Sequence, residues 1–482
     1  MKYRLPGSFK TAAALRERLA ELRLDVDVDD EIEGADGPLG EALEWAPGRT
    51  LANRFAIHPM EGWDGTREGE PSELTRRRWR RFGRSGAAMV WGGEAFAVRE
   101  DGRANPNQLF LRDEDAAVRD LAALREETLG GREEIGVPAD LGPVGLQLTH
   151  SGRWSRPDGP PAPQPAARDP LLDERAGDDA ALLSDDDLAR IQDGYVAAAR
   201  VAERAGFDFV DIKACHGYLV HELLGARTRE GRFGGPELED RARFLLETID
   251  RVRAEVPGLE IGCRISLADV VPHRPAPDQA DRRGEPAALR WSHGFGVDRE
   301  TPTDFDLDEP HRLLDLLEER GVRLVNVTLG SPYYNPHLQR PAAYPPSDGY
   351  QPFADPLVFV AAHLDVVRLA KARHPNQVLV GTGYTYLMDW LGHVAQAEVR
   401  RGRVDLVGLG RMVLSYPELP RDVLARRTLE RKLVCRTFSD CTTAPRNGIV
   451  SGCYPLDPTY RERPERERLE EIKRALKGDA RA

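Results

Sequence analysis

The fold class predicted for this 482-residue chain is α/β, a closed (β/α)8 TIM barrel with a C-terminal cysteine-containing extension. Two observations predict it. Eight short runs rich in Val, Ile, Leu and Phe recur along the sequence, and most precede a longer stretch with apolar residues at helical spacing. The runs cover residues 54–60, 87–96, 142–150, 207–215, 259–266, 322–330, 377–383 and 404–411. Eight strands alternating with helices close into a barrel, which runs as one unit over about 200 to more than 400 residues.

The helices have support of their own. Ser184 stands before DDDLARIQDGYVAAARVAERAG as an N-cap, with Asp187 three residues on. Leu188, Ile191, Tyr195, Ala198 and Ala202 form one face, and Gly206 ends the helix. The next helix, residues 237–255, aligns Leu238, Ala242, Leu245, Ile249 and Val252 in the same way. Such faces pack outside a sheet. The expected division is an N-terminal extension over the barrel base (1–50), the barrel (51–425), and a C-terminal extension (426–482) whose charged tail, 461–482, forms a helix. Two connections, 151–183 and 271–310, exceed an ordinary βα loop and come after strand ends, so each is either a lid or a surface excursion.

Composition narrows the function classes. With 80 acidic against 68 basic residues the net charge is −12, and no basic face is clustered. Nucleic acid and anionic membranes are therefore disfavoured as partners, which leaves a small-molecule substrate. The N-terminus gathers no apolar run, and no window approaches a membrane span, so a cytoplasmic location is expected. Five cysteines do not make a disulfide framework, although Cys435, Cys441 and Cys453 crowd near the C-terminus.

The fourth strand and the segment after it, DIKACHGYLVHELLGARTREGRFGGPELEDRARF, are the most informative stretch. Alternation puts Asp211 and Lys213 on one face and the apolar Val210 and Ile212 on the other, which suits the helix layer. Lys213 then faces the barrel mouth, with His216 and Tyr218 just past the strand end. Taken alone, the segment fits a catalytic pair and fits equally a capping histidine with a core tyrosine.

The run HGYL, then R-T, then GG-x-x-LE-x-R-x-RF, strongly resembles the Old Yellow Enzyme family of FMN-dependent oxidoreductases. NRFAIHPM resembles that family's first strand, QLTHSGR its third, and GLGR with YPELP after it its eighth, all in order from Asn53 to Pro420. The resemblance implies noncovalent FMN in the barrel mouth. Pro59, Met60 and Ala95 would line the isoalloxazine, and Gln147 would offer an amide to the mixed pyrimidine edge. Arg264 would stand near N1 and O2, where reduced flavin gathers negative charge. Gly383, Gly410 and Arg411 would form the phosphate site that barrels build after strands seven and eight. Tyr218 would protonate substrate, while His216 hydrogen-bonds its activating oxygen.

Two positions depart from the family pattern. The usual partner of the substrate-binding histidine is His, Asn or Tyr, and here it is Lys213, in a chain with only 7 lysines among its 68 basic residues. Glu61 stands where Cys or Thr is common near flavin C4 and O4, so Glu61 and Lys213 are expected to face one another across the flavin mouth. Larger members, resembling dienoyl-CoA reductase and trimethylamine dehydrogenase, carry a four-iron cluster on four cysteines. The run CRTFSDC, with Cys453 beyond it, keeps three of them and places Phe438 at the second of the four positions, so an iron–sulfur cluster or other metal is not expected. Those relatives also append a flavin and nucleotide domain, whereas this sequence stops at Ala482. Direct electron exchange with NAD(P)H or an electron carrier is the expectation, in a homo-oligomer. The leading function is NAD(P)H-dependent reduction of an activated C=C bond. The alternative is oxidative demethylation or C–N cleavage of a methylated amine or amino acid.

Overall fold

A computed structural model describes residues 3–176, 179–276 and 282–479. All eight predicted strands are present, each shorter than or close to its apolar run: Phe55–Ile57, a split second strand (Met89–Val90 and Ala95–Ala97), Gly145–Thr149, Phe209–Ala214, Glu260–Ala268, Leu324–Leu329, Val378–Gly381 and Leu406–Leu409. Neighbours pair in parallel from the second half-strand round to the first strand, which pairs with Met89–Val90. A parallel bridge from Val90 to Val144 closes the ring, so the chain is a (β/α)8 TIM barrel.

Alternation sorts each strand into a barrel-filling and a helix-covered face. Along the fourth strand Phe209, Asp211 and Lys213 turn inward, while Val210 and Ile212 join the outer apolar layer. The base is filled by Trp45, Leu51, Trp91, Phe209, Leu324, Val380 and Leu406. Trp45 and Leu51 come from a hairpin, Leu43–Ala46 with Arg49–Leu51, ahead of the first strand. Above this plug, register sets Gln147 beside Asp211, Lys213 beside Arg264, and Arg264 in turn beside Asn326. The inward positions thus pass from apolar at the base to charged at the mouth.

The outer helices obey the sequence signals. Asp185–Arg204 carries the predicted capping box of Ser184 and Asp187, and Gly206 adopts φ +83° just beyond it. Its buried face of Leu188, Ile191, Tyr195, Ala198 and Ala202 lies against Leu238–Glu255. The two long connections hold regular structure: one has the helix Pro170–Ala176 and the other the ribbon His273–Pro275 with Gly284–Pro286, while 177–178 and 277–281 lie outside the described residues. The tail forms a helix, Glu465–Asp479, with residues 480–482 again outside. No helix among the described residues is long and apolar enough to cross a membrane.

One buried ion network ties the first two strand ends together. Arg78, on helix Glu73–Gly83, holds Asp64 through two hydrogen bonds of 2.8 and 2.9 Å, reaches Glu94 at 2.6 Å, and donates to the Gly93 carbonyl at 2.7 Å. Removing one partner of such a set strands the others without solvent. R78A should therefore lower the unfolding free energy by about 3–5 kcal/mol, measured by denaturant titration, and a loss below about 1 kcal/mol would mean that the network behaves like a surface pair.

Candidate functional site

A cavity of about 590 Å³ opens at the C-terminal ends of the strands, within the size range of cofactor sites. Pro59, Met60 and Glu61 reach it from the first strand, Gln147 from the third, Lys213, His216 and Tyr218 from the fourth, and Arg264 from the fifth. Gly383, Gly410 and Arg411 supply its far end. Ala95 does not reach the wall. It sits buried beside Gln147 in the outer half of the broken second strand, where its carbonyl accepts from Gln108.

The floor is organised by Asp211, which sequence inspection placed on the inner face without giving it a role. Its carboxylate accepts from the Trp91 indole at 2.7 Å, the Gln147 amide at 2.6 Å and the Arg264 backbone N–H at 2.6 Å. Full burial pushes its pKa up to about 6, against the pull of those donors. With its nitrogen tied to Asp211, the Gln147 amide has its oxygen left for a donor in the cavity. Arg264 donates to the Pro59 carbonyl at 3.3 Å, and its buried Nε has no partner.

The mouth is organised by Tyr218. Its hydroxyl donates to the Glu61 carboxylate and lies 3.0 Å from the Tyr333 hydroxyl. Glu61 uses its other oxygen for the Trp63 indole at 3.0 Å and the Asn105 amide at 3.2 Å. Lys213 Nζ lies 3.6 Å from the centroid of the Tyr218 ring. Glu61 and Lys213 are thus both brought to Tyr218, one at its hydroxyl and one on its face, with the ring between them. Burial lowers the Lys213 ammonium from its ordinary value, while burial and then Glu61 hold the Tyr218 phenol well above 10.

His216 adopts φ +67°, which turns its ring into the cavity. Its backbone is held by Ser266 at 3.0 Å and Ser331 at 2.7 Å, and its Nε2 lies 3.1 Å from the Gln339 amide. Burial, with Arg264 and Lys213 nearby, keeps this imidazole neutral. Tyr333 and Gln339, both on the long segment after the sixth strand, carried no sequence motif that could have singled them out.

At the far end Arg411 donates to the Pro341 carbonyl at 2.8 Å and keeps a buried Nη1 with no partner. Arg340, also unforeseen, bonds Thr442 and keeps a buried Nη2 unpartnered. Burial and the like charges of Arg411 and Arg446 push Arg340 down to about 9. Gly383 has φ +101°, and a Cβ on Gly410 would meet nothing within 4 Å. Unpartnered guanidinium nitrogens beside open glycine backbone suit a phosphate, while the Gln147 oxygen and Arg264 suit a pyrimidine edge. The residues present therefore fit FMN.

The cysteine segment borders the same cavity through Cys441 and Cys453, while Cys435 is buried beside Met412. Phe438 turns away, stacking on Tyr344 at 5.8 Å between the left-handed residues Thr437 and Ser439. Among the described residues, no group of three His, Cys, Asp or Glu is arranged to hold a metal ion.

Comparison with known proteins places these features in a wider set. Residues 46–282 match the model of the NADH:flavin oxidoreductase / NADH oxidase family. The NADPH dehydrogenase of Bacillus velezensis is 32% identical over 52% of this chain and 68% of its own length. That of Geobacillus thermodenitrificans is 28% identical over 77% of this chain and 90% of its own. Among solved structures, an Old Yellow Enzyme from a Pichia species superposes with a TM-score of 0.57 at 20% identity, covering 82% of this chain and 88% of that one. A 2-naphthoyl-CoA reductase superposes at 0.63 and 17% identity, covering 88% of this chain and 57% of that longer one.

The role of Asp211 in the floor is open to a direct test. In D211N the new amide would turn donors toward the Trp91, Gln147 or Arg264 N–H groups, which costs about 1–3 kcal/mol. FMN should then dissociate about tenfold or more readily, read by fluorescence on titrating apoprotein, and an unchanged dissociation constant would remove Asp211 from the cofactor site.

Proposed function

Because the chain belongs to the NADH:flavin oxidoreductase / NADH oxidase family and is an FMN-dependent oxidoreductase, we propose that it uses NAD(P)H to reduce an activated C=C bond of a small molecule. The observation that carries this reading is the placement of Tyr218, His216 and Lys213 on one wall of the cavity, above the Gln147 and Arg264 end of its floor. Bound FMN supplies the hydride.

The chain's own residues supply the rest. Neutral His216 and the Lys213 ammonium offer N–H donors toward a carbonyl or nitro oxygen, whose developing negative charge they stabilise as the alkene is reduced. Tyr218 delivers the proton to the neighbouring carbon, and its burial among Trp154, Trp291 and Tyr334 limits competition from bulk water. Arg264, held against Pro59, offsets negative charge at the pyrimidine end.

Glu61 favours a second reading. A carboxylate bordered by Trp63, Tyr218 and Tyr333 also suits a cationic amine, which the flavin would oxidise.

Anaerobic spectroscopy separates the two. Bleaching of the flavin by NADH or NADPH, with recovery on adding an enone, is the expected result; bleaching by a methylated amine alone would replace the first reading with the second. In Y218F the enone step should slow by about 10²–10⁴-fold, with a much smaller effect on bleaching by NAD(P)H, and an enone step within about threefold of wild type would remove Tyr218 as the proton donor.

A further inference from the structure

We propose that Arg156 is the anion-binding arm of the ligand site, taking a carboxylate or phosphate carried by the molecule that docks against Tyr218. The inference rests on the reading of the cavity mouth as the place where an alkene is reduced. It adds the chemical class of the molecule that fits there, one bearing an acidic group away from its reacting carbons.

Most cations in the cavity wall already have a partner or a task. Arg77 holds Asp457 through two hydrogen bonds of 2.9 and 2.8 Å, and Arg78 lies between Asp64 and Glu94. Arg446 bonds Asp348 and donates to the Pro332 carbonyl at 3.0 Å. Arg340 and Arg411 fit the phosphate of FMN, Arg264 fits its pyrimidine edge, and Lys213 lies on the Tyr218 ring. Arg156 also borders the cavity, and among the described residues its guanidinium has neither an ion-pair nor a hydrogen-bond partner. Asp158, two positions on, makes no ion pair with it and bears on Arg103 instead.

The Arg156 side chain is exposed, but the backbone beneath it is fixed. Its N–H donates to the Arg103 carbonyl at 2.8 Å, and its own carbonyl accepts from the Gly159 N–H at 3.2 Å. The Arg103 guanidinium in turn donates to the carbonyls of Arg67 at 3.1 Å and Pro106 at 3.0 Å. Trp154, two positions earlier, stacks on Tyr333 at 4.2 Å with the rings 3° from parallel, and the Tyr333 hydroxyl lies 3.0 Å from that of Tyr218. These contacts set the base of Arg156 on the Tyr333 side of the mouth. Burial and then Glu61 raise the Tyr333 phenol, and the charges of Arg446 and Arg156 oppose them, so both guanidiniums are felt at that hydroxyl.

The mouth therefore has a negative and a positive end. Glu61 accepts from Tyr218 at one, the two phenols follow, and Arg156 and Arg446 stand at the other. An acidic substituent placed toward Glu61 meets like charge. Placed toward Arg156, it meets a planar fork of donors that matches two oxygens of a carboxylate or phosphate. The ligand then lies with its activating oxygen at His216 and Lys213 and its acidic group on the Tyr333 side. Arg446 is the weaker candidate for this contact, because Asp348 already holds it. The net charge of −12 repels an anion at a distance, which leaves a local cation to supply the attraction. Such a group has two sources: an acidic chain on the substrate, and the phosphate that distinguishes NADPH from NADH.

The test uses FMN-loaded wild type, R156Q and R156K, with the melting temperature of each as a control for folding. Dissociation constants are read from the flavin spectrum of the oxidised protein for a cyclohexenone carrying a carboxypropyl chain and for its methyl ester. The concentration dependence of stopped-flow flavin reduction gives the corresponding pair for NADPH and NADH. In wild type at least one pair should favour its more anionic member by about tenfold or more, and in R156Q that ratio should fall to within about twofold of unity. R156K should keep part of the preference, since it retains the charge without the fork. Loss confined to the acid and ester assigns the anion to the substrate; loss confined to the coenzymes assigns it to the NADPH phosphate. Equal ratios in wild type and R156Q for both pairs would overturn the proposal. If no enone reoxidises the reduced protein, the reductase reading falls instead, and the dissociation constants decide Arg156 by themselves.

Discussion

Arg78 holds the mouth of this barrel in place. Its guanidinium is buried between Asp64, on the loop after the first strand, and Glu94, inside the break of the second strand. The pair of carboxylates holds it protonated above its already high ordinary value, despite the cost of burial. Many other ion pairs among the described residues are like Arg190 with Asp187, where both partners are more than a third exposed, and such pairs contribute about 0–1 kcal/mol each. The Arg78 set is different in kind, because none of its members can exchange its partner for water. Pro59, Met60, Glu61 and Trp63 all hang from the loop that it fixes.

The second constraint is the layering inside the barrel. Apolar side chains plug the base, one ring of inward positions higher places Asp211 with Gln147, and the next places Lys213 with Arg264. Two cations side by side repel, and burial disfavours both. The carboxylate of Asp211 directly below, bonded to the Arg264 backbone, makes the arrangement tolerable. A site that must accept electron density is built in this way from positive charge above a buried negative one. The same layering explains why Lys213 finds an aromatic face and not a carboxylate: Tyr218 stands between it and Glu61.

The barrel was legible because its signals are local. Apolar runs, helical faces and the Ser184 capping box all lie within a few residues of what they specify. Most of the cavity wall was legible for a related reason, since Pro59, Gln147, Lys213, Arg264 and Arg411 stand at strand ends that the motifs marked. Ala95 was misplaced because the break at Trp91–Glu94 shifts the outer half of its strand, which no alternation pattern foretells. The contacts that were missed join distant segments: Tyr218 with Glu61 and Tyr333, His216 with Gln339, and Arg340 with Thr442. A side chain at the end of a long connection leaves no periodic trace, so its partner appears only once the barrel has closed.

In the proposed reduction, hydride and proton reach an alkene from different sources, the flavin and Tyr218. The most direct measurement is the reduction of an enone in D2O with protiated NAD(P)H, with the label located in the product by NMR. The expected product carries one deuterium on the carbon next to the carbonyl and protium delivered to the other carbon. Deuterium on the far carbon with protium next to the carbonyl would contradict the mechanism.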